Sequence, residues 1–163
     1  MGSQTVETII ELEKELEILN SNKEKIVSLQ REQAELIEKL IDENNEVIRW
    51  LYKNRLPFYH ETIKGKRSSK GPILGFDEDE DRLIRYNFEK HIIESVDIYD
   101  TSDSKEISSL KLVKEGHFVS AVKGIKYLTK QQKEIIDEQN EFIDELKYEL
   151  EMAKKDFGTK TAE

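Results

Sequence analysis

Two long segments of the chain repeat apolar residues with the seven-residue period of helices that pack against other helices. In the first segment the a positions are Ile9, Leu16, Lys23, Gln30, Ile37, Asn44 and Leu51, and the d positions are Leu12, Leu19, Ile26, Gln33, Leu40 and Val47. This seam predicts a helix from about Thr5 to Asn54, because the α conformation is disfavoured before Pro57. Ser21 and Glu24 match a capping box, but the register passes through them unbroken, so we expect one continuous helix.

A second seam runs from Phe118 to Phe157 and predicts a long C-terminal helix, opened by Glu115 and Gly116. Its a positions are Val122, Thr129, Ile136, Ile143, Leu150 and Phe157, and its d positions are Phe118, Ile125, Gln132, Gln139, Leu146 and Ala153. Seams sustained over this length are typical of helices that associate, and they do not indicate a catalyst.

The apolar stripe of the first segment is wider than a two-helix seam requires. Beyond residue 27 the e positions are Val27, Ala34, Ile41 and Ile48, and the g positions include Leu29, Leu36 and Trp50. Apolar flanks indicate more than one neighbouring helix, as in a trimer, a tetramer or a folded-back hairpin, and we favour a trimer. The predicted oligomer interface comprises Leu12, Leu16, Leu19, Ile26, Ile37, Leu40, Asn44, Val47, Leu51, Ile136, Ile143, Leu146 and Leu150.

The stretch between the seams has a different character. Residues 55–77 contain Pro and Gly and predict a loop or hairpin with a basic tip at Lys64, Lys66 and Arg67. The acidic run Asp77, Glu78, Asp79, Glu80 and Asp81 precedes apolar residues at helical spacing, which favours a helix N-terminus; a strand over residues 83–88 is the alternative. Residues 96–99 and 107–113 predict a short hairpin.

These elements predict a mainly α fold, in which long N- and C-terminal coiled-coil helices flank a small central α+β module. We expect the N-terminal helix to occupy residues 1–55. The module should occupy residues 56–114, and the C-terminal helix with a short tail residues 115–163.

Composition restricts the class of protein. The 163-residue chain has 37% charged residues and no cysteine, which excludes disulfides and thiolate metal sites. No apolar run approaches the roughly 20 residues that span a bilayer, and no signal-peptide pattern opens the chain. We therefore expect a location in the cytoplasm of a cell or host cell, or in a virion, and no membrane partner.

Charge is distributed in blocks within a net charge of −9. Residues 77–106 carry eleven acids and four bases, whereas residues 107–133 carry one acid and six bases. Alternating blocks fit a protein that docks against copies of itself, and the overall acidity makes nucleic acid an unexpected partner.

No motif for catalysis, cofactor binding or metal binding is complete. The Asp77–Asp81 run resembles a calcium loop, but Arg82 and Phe88 occupy the positions that need Gly and Glu. Gly65 and Lys66 lack the rest of a phosphate loop, and the three histidines lack zinc-ligand spacing. We therefore expect no enzyme activity, no catalytic residue, no metal and no cofactor. The candidate partner-binding residues are Asp77, Glu78, Asp79, Glu80, Asp81, Lys64, Lys66 and Arg67.

From Phe58 to the end, the order of features resembles the intramolecular chaperone at the C-terminus of phage tailspikes, endosialidases and neck appendages. The resemblance is carried by Gly71-Pro-Ile-Leu74, Val96-Asp-Ile-Tyr-Asp100 and Phe118-Val-Ser-Ala-Val-Lys-Gly-Ile-Lys-Tyr-Leu128. It implies a trimeric assembly module. The chain lacks the family's Ala-Gln after Ile73, and its self-cleavage signature is absent, since Ser102-Asp-Ser-Lys105 has the wrong spacing.

The sequence thus predicts a non-enzymatic homo-oligomeric structural or assembly protein held by coiled coils, and the resemblance places it in a bacteriophage. The alternative is a small acidic phage-type regulatory inhibitor that binds a basic, nucleic-acid-handling protein through residues 77–106, which carry a net charge of −7.

Overall fold

The computed structural model of the protein, which describes residues 2–158, has helices at both ends of the chain and four strands between them. In chain order the elements are α1 (Gly2–Glu43), α2 (Asn45–Lys53), β1 (Ile73–Asp77), β2 (Arg82–Asn87), β3 (Ile92–Asp97), β4 (Ser104–Glu106), α3 (Ser109–Lys114), α4 (Phe118–Lys126), a 3₁₀ turn (Tyr127–Thr129) and α5 (Gln131–Asp156). The predicted fold class, mainly α with a small α+β module, is confirmed.

The first helical segment contains one interruption, which lies at Asn44. Helix α1 runs unbroken through residues 20–24, so the prediction of continuity there is confirmed. At Asn44 the backbone N–H and the side-chain Nδ2 both donate to the Leu40 carbonyl, at 3.1 and 2.8 Å. Helical bonding resumes when the Ile48 N–H donates to the Asn44 carbonyl at 3.0 Å. The predicted single helix is therefore two helices, α1 and α2, joined at one residue.

The four strands form an antiparallel meander in the order β1-β2-β3-β4. The helix predicted after the acidic run is wrong, and the strand alternative is correct, since these residues form β2. Residues 78–81 are the turn between β1 and β2. Asp77 Oδ1 accepts hydrogen bonds from the backbone N–H groups of Asp79 and Glu80, and Asp81 has a φ of 53°. The side chain of Asp77 thus closes a hairpin turn.

The next hairpin, between β2 and β3, repeats this arrangement. Asn87 Oδ1 accepts from the Lys90 N–H, and His91 lies at a φ of 55°. In both hairpins an Asx side chain precedes a four-residue loop whose last residue is left-handed, a conformation that Asp, Asn and His adopt more readily than most residues.

The hairpin predicted over residues 96–113 is correct in its first half only. Strands β3 and β4 pair across a loop at residues 98–103, but β4 ends at Glu106. The following residues form α3, whose N-terminus is capped by Ser108, with Oγ accepting from the Lys111 N–H at 3.0 Å. The short apolar run was compatible with either element, and this cap belongs to a helix.

The long C-terminal helix predicted from Glu115 is also divided. Helix α3 ends at Lys114, Gly116 just beyond it has a φ of 87°, and α4 begins only at Phe118. The 3₁₀ turn then separates α4 from α5. The left-handed Gly116 ends α3 and turns the chain. The seam from Phe118 belongs to two helices because the 3₁₀ turn lies between them.

All three predicted segments contribute to one core. The core residues of α1, α2, the sheet and the later helices are Ala34, Ile37, Ile41, Ile48, Leu51, Phe58, Leu74, Ile84, Tyr86, Ile93, Ile107, Leu112, Val113, Ala121, Ile125 and Leu128. We call residues 30–135, which contain this cluster, the body. The predicted boundaries at residues 55 and 114 therefore pass through the body.

Candidate functional site

Both ends of the described chain leave the body as exposed amphipathic helices. We call residues 2–29 of α1 the α1 arm and residues 136–156 of α5 the α5 arm; every side chain in them is exposed. The large apolar side chains exposed on the α1 arm are Val6, Ile9, Ile10, Leu12, Leu16, Ile18, Leu19, Ile26, Val27 and Leu29. Those on the α5 arm are Ile136, Phe142, Ile143, Leu146, Tyr148, Leu150 and Met152.

The predicted oligomer interface separates into two groups. Eight of its residues lie on the arms with their side chains exposed: Leu12, Leu16, Leu19, Ile26, Ile136, Ile143, Leu146 and Leu150. The other five belong to the body. The prediction is corrected for Ile37 and Leu51, which are buried within a single chain, and it stays a prediction for the half-buried Leu40, Asn44 and Val47. Ile37 and Leu51 are buried in the core, and Leu40 and Val47 pack against it. Asn44 caps the Leu40 carbonyl at the α1–α2 junction.

The change from body to arm falls at polar seam positions. Gln30 and Gln33 are half-buried where α1 enters the body, and Lys23 is exposed beyond them. At the other arm, α5 is anchored by the buried Gln131. Its Nε2 donates to the Pro57 carbonyl at 3.0 Å, and its Oε1 accepts from the Tyr59 N–H at 3.2 Å. Helix α1 packs along α3 and α4, and every side chain of both arms is exposed, so the arms do not cover each other within the described chain.

The predicted basic tip is divided between two sides of the body. Lys66 lies over the ring of Phe76 on β1, with 5.2 Å between Nζ and the ring centroid. Lys64, Lys66 and Glu78 line one cleft of about 320 Å³, so the structure brings part of the basic tip to the acidic turn. Arg67 does not line that cleft and lines a different one.

The acidic turn Asp77–Asp81 lies at the same end of the sheet as the β3–β4 loop. The Ile98 N–H donates to the Asp81 carbonyl at 3.2 Å, which joins the two. Arg82 connects them as well, since its guanidinium donates to Ser95 and to the Asp103 carboxylate. The acids from residues 77–81 and those at positions 97, 100 and 103 therefore share one end of the sheet.

Arg67, the third residue of the basic tip, lines a larger cleft of about 750 Å³, which we call the basic cleft. Its walls come from the end of α2, the following turn, residues 67–70, β2 and the β3–β4 loop. The lining residues are Tyr52, Lys53, Arg55, Leu56, Pro57, Arg67, Ser68, Ser69, Lys70, Arg85 and Thr101. Five of these are Lys or Arg and none is acidic. Of the basic residues in this cleft, the sequence analysis identified only Arg67. Arg55 at the end of α2 and Arg85 on β2 are brought to the cleft by the tertiary structure.

Arg85 belongs to a buried polar group on the face of the sheet opposite the core. Because Ile84 and Tyr86 face the core, the residue between them faces away from it. Arg85 Nε donates to Glu94 Oε1 at 3.0 Å, and Asn87 Nδ2 donates to the same oxygen at 2.9 Å. Glu94 and Asn87 are buried, so this group fixes the guanidinium at the wall of the basic cleft.

His60 is a second buried polar residue, and its role is structural. Its Nε2 lies 2.7 Å from the Ser120 carbonyl, and its Nδ1 accepts the backbone N–H of Thr62 at 3.1 Å. This pattern fixes the neutral tautomer with the proton on Nε2. Burial lowers the pKa of His60, against the opposing effect of the Ser120 carbonyl.

Within residues 2–158, no group of three or more His, Asp or Glu side chains is placed to hold a metal ion. Among the helices of the same residues, none combines the length and apolar character that would let it cross a membrane. Comparison of the chain with protein-family models, with curated proteins and with solved structures found no match.

Proposed function

We propose that the protein is a non-enzymatic assembly protein whose copies associate through the two arms, with the body as a folded unit carried at their junction. The single observation that supports this is the exposed apolar stripe on both arms. On α1 the same seam that is buried in the body at Ile37 continues outward at Leu16 and Leu19, which are exposed. A stripe that continues beyond the body is suited to a partner helix.

The exposed apolar faces of the arms favour a partner that would stabilise them. The α1 arm of 28 residues extends about 42 Å at 1.5 Å per residue. An isolated helix that is not Ala-rich is marginal in water, because most helix stability in proteins comes from packing an apolar face. Association of copies would bury both arms of every chain at once, and it needs no second kind of protein.

The charge of the arms distinguishes self-association from binding to a basic partner. Residues 2–29 carry six acids and three bases, and residues 136–156 carry eight acids and three bases, so both arms are acidic. Arms of like charge repel, and salt screens that repulsion. Self-association should therefore strengthen as salt increases, whereas binding to a basic protein should weaken.

The test is native mass spectrometry and light scattering of the wild type and of a Leu16→Asp/Ile143→Asp variant, between low and high salt. Each substitution places a charge in an apolar layer without a partner, which is strongly unfavourable. We expect the wild type to be an oligomer, with three copies favoured, and the variant to be a monomer whose body remains folded. Ser21→Asp, which adds one negative charge to the α1 arm outside the a and d positions, is the control for Leu16→Asp and should leave assembly intact. A wild type that is monomeric at tens of micromolar would refute the proposal.

The assignment to a bacteriophage remains a prediction from the resemblance. The second candidate function, binding of a basic protein, is supported by the acidic end of the sheet, where residues 77–81 and the β3–β4 loop are joined through Arg82 and Asp81. A variant with Glu78→Gln and Glu80→Gln should fold and assemble as the wild type does. Loss of a co-purifying basic protein from this variant alone would favour the second candidate.

A further inference from the structure

The basic cleft concentrates positive charge on a protein of net charge −9. Of its five basic side chains, Lys70 pairs with Glu89 at 2.9 Å and Arg85 pairs with Glu94 at 3.0 Å. The remaining three, Lys53, Arg55 and Arg67, make no ion pair with any other residue in the range 2–158. The cleft therefore has three exposed positive charges without an ion-pair partner around one concave volume, an arrangement that favours a bound anion.

The backbone at Arg55 provides independent evidence. The Arg55 N–H donates to the Tyr52 carbonyl and the Leu56 N–H to the Leu51 carbonyl, which is the hydrogen-bond pattern of a Schellman helix end. In this motif the residue at the position of Arg55 is left-handed and is usually Gly, and Arg55 indeed has a φ of 55°. An Arg here is disfavoured by its own backbone, and its side chain lines the cleft. Residues held against local preference are concentrated at functional sites.

Arg85 provides a fixed donor group at the same wall. Only 12% of its side chain is exposed, and Glu94 holds its Nε. Its two terminal amino groups have no hydrogen-bond partner among the residues that the structure describes. Three arginines line this cleft, and the planar guanidinium fork matches the oxygens of a phosphate group better than any other side chain does.

The size and surroundings of the cleft limit the ligand to a compact one. A volume of about 750 Å³ is that of a small-molecule site and far exceeds a single phosphate. Tyr52, Leu56 and Pro57 give one apolar wall beside the basic ones. Glu89 pairs with Lys70 of the wall, and Asp100 precedes the lining residue Thr101 in the chain, so a long polyanion that continued beyond the cleft there would meet negative charge.

We propose that the basic cleft binds a compact ligand that carries two or more linked phosphate groups. A nucleoside triphosphate and inorganic triphosphate share this chemistry. The phosphates would contact the guanidinium groups of Arg55, Arg67 and Arg85, and a nucleoside would contact the apolar wall. This site is independent of the arms, and its ligand is not required for assembly.

The test is isothermal titration of the full chain with inorganic triphosphate and, separately, with ATP, both without divalent cations. We expect both to bind, and ATP to bind more tightly if the apolar wall takes a nucleoside. Arg67→Ala and Arg55→Gly should each weaken binding roughly tenfold or more, because each removes a charge-assisted hydrogen bond. Lys64→Ala is the matched control: it removes a charge from the same loop outside the cleft, and affinity should stay within about twofold.

Arg55→Gly separates binding from folding. Glycine adopts a positive φ without penalty, so this variant should melt at the same temperature as the wild type or higher while it binds more weakly. A lower melting temperature would overturn the argument from the Arg55 backbone. Absence of binding by the wild type, equal affinity in Arg67→Ala and wild type, or preference for a twenty-nucleotide single strand over triphosphate would overturn the proposal.

Discussion

The close approach of helix α4 to strand β1 makes Gly124 the most informative position for a stability experiment. A Cβ added at Gly124 would lie 2.0 Å from the carbonyl oxygen of Ile73 and 3.0 Å from Cδ2 of His60. Real Cβ atoms essentially never come within 3.0 Å of another heavy atom, so in Gly124→Ala the helix must move by about 1 Å. The contacted atom is backbone, which cannot rotate away.

Two effects of opposite sign determine the size of the change. Replacing a helical glycine with alanine favours the helix by about 1 kcal/mol. Overpacking of a filled core costs about 1–3 kcal/mol, and the upper end applies here because Ala121 and Ile125, on the same helix, are themselves fully buried and must move with it. The expected net result is a loss of about 2 kcal/mol in the free energy of unfolding.

Urea unfolding followed by circular dichroism measures this loss. With a slope of about 2 kcal/mol per molar urea, the midpoint of Gly124→Ala should fall by about 1 M. The measurements need one fixed protein concentration, because assembly makes the midpoint depend on concentration. Val119→Ala, on the exposed side of the same helix, is the control and should leave the midpoint unchanged or slightly raised. A midpoint for Gly124→Ala at or above that of the wild type would refute the close contact.

Three further predictions concern other buried groups. Glu94→Ala should lower stability by about 3–5 kcal/mol in urea unfolding, because it leaves the buried Arg85 guanidinium without its carboxylate; a change below 1 kcal/mol would contradict the pairing. Ile37→Ala should lower the free energy of unfolding by about 2–5 kcal/mol. Leu16→Ala, on an arm, should change it only through assembly, and that change should vanish as the protein is diluted; equal effects of the two substitutions at every concentration would mean that the arm and body are not distinct. The pKa of His60 is lower in the folded chain than in the unfolded chain, so the unfolded chain binds more protons in the range between the two values. The contribution of His60 to stability should therefore be complete above the unfolded pKa of about 6.5 and fall as the pH drops through the folded pKa. A His60→Gln variant should show a smaller decline in stability between pH 7.5 and 5.

The acidic run at residues 77–81 illustrates why a local pattern was misleading. Acids before apolar residues fit a helix N-terminus, and Leu83, Ile84 and Phe88 fit a helical spacing as well as a strand buried on both faces. The signal that could have distinguished the strand from the helix is a repeated spacing. An Asx residue is followed four positions later by a residue that tolerates a positive φ, first at Asp77 and Asp81 and again at Asn87 and His91. Turn chemistry was therefore more informative here than charge.

The sequence by itself determined the long amphipathic helices, their continuity through residues 20–24, and the mainly α fold with a small α+β module, because these follow from periodicity along the chain. Only the tertiary structure decided how each seam is used. Identical heptad positions become core at Ile37 and free surface at Leu16, since burial depends on what lies opposite and periodicity does not encode that. The basic cleft has the same origin. Arg55, Arg67 and Arg85 are far apart in sequence, and a helix end, a loop and a strand bring them together.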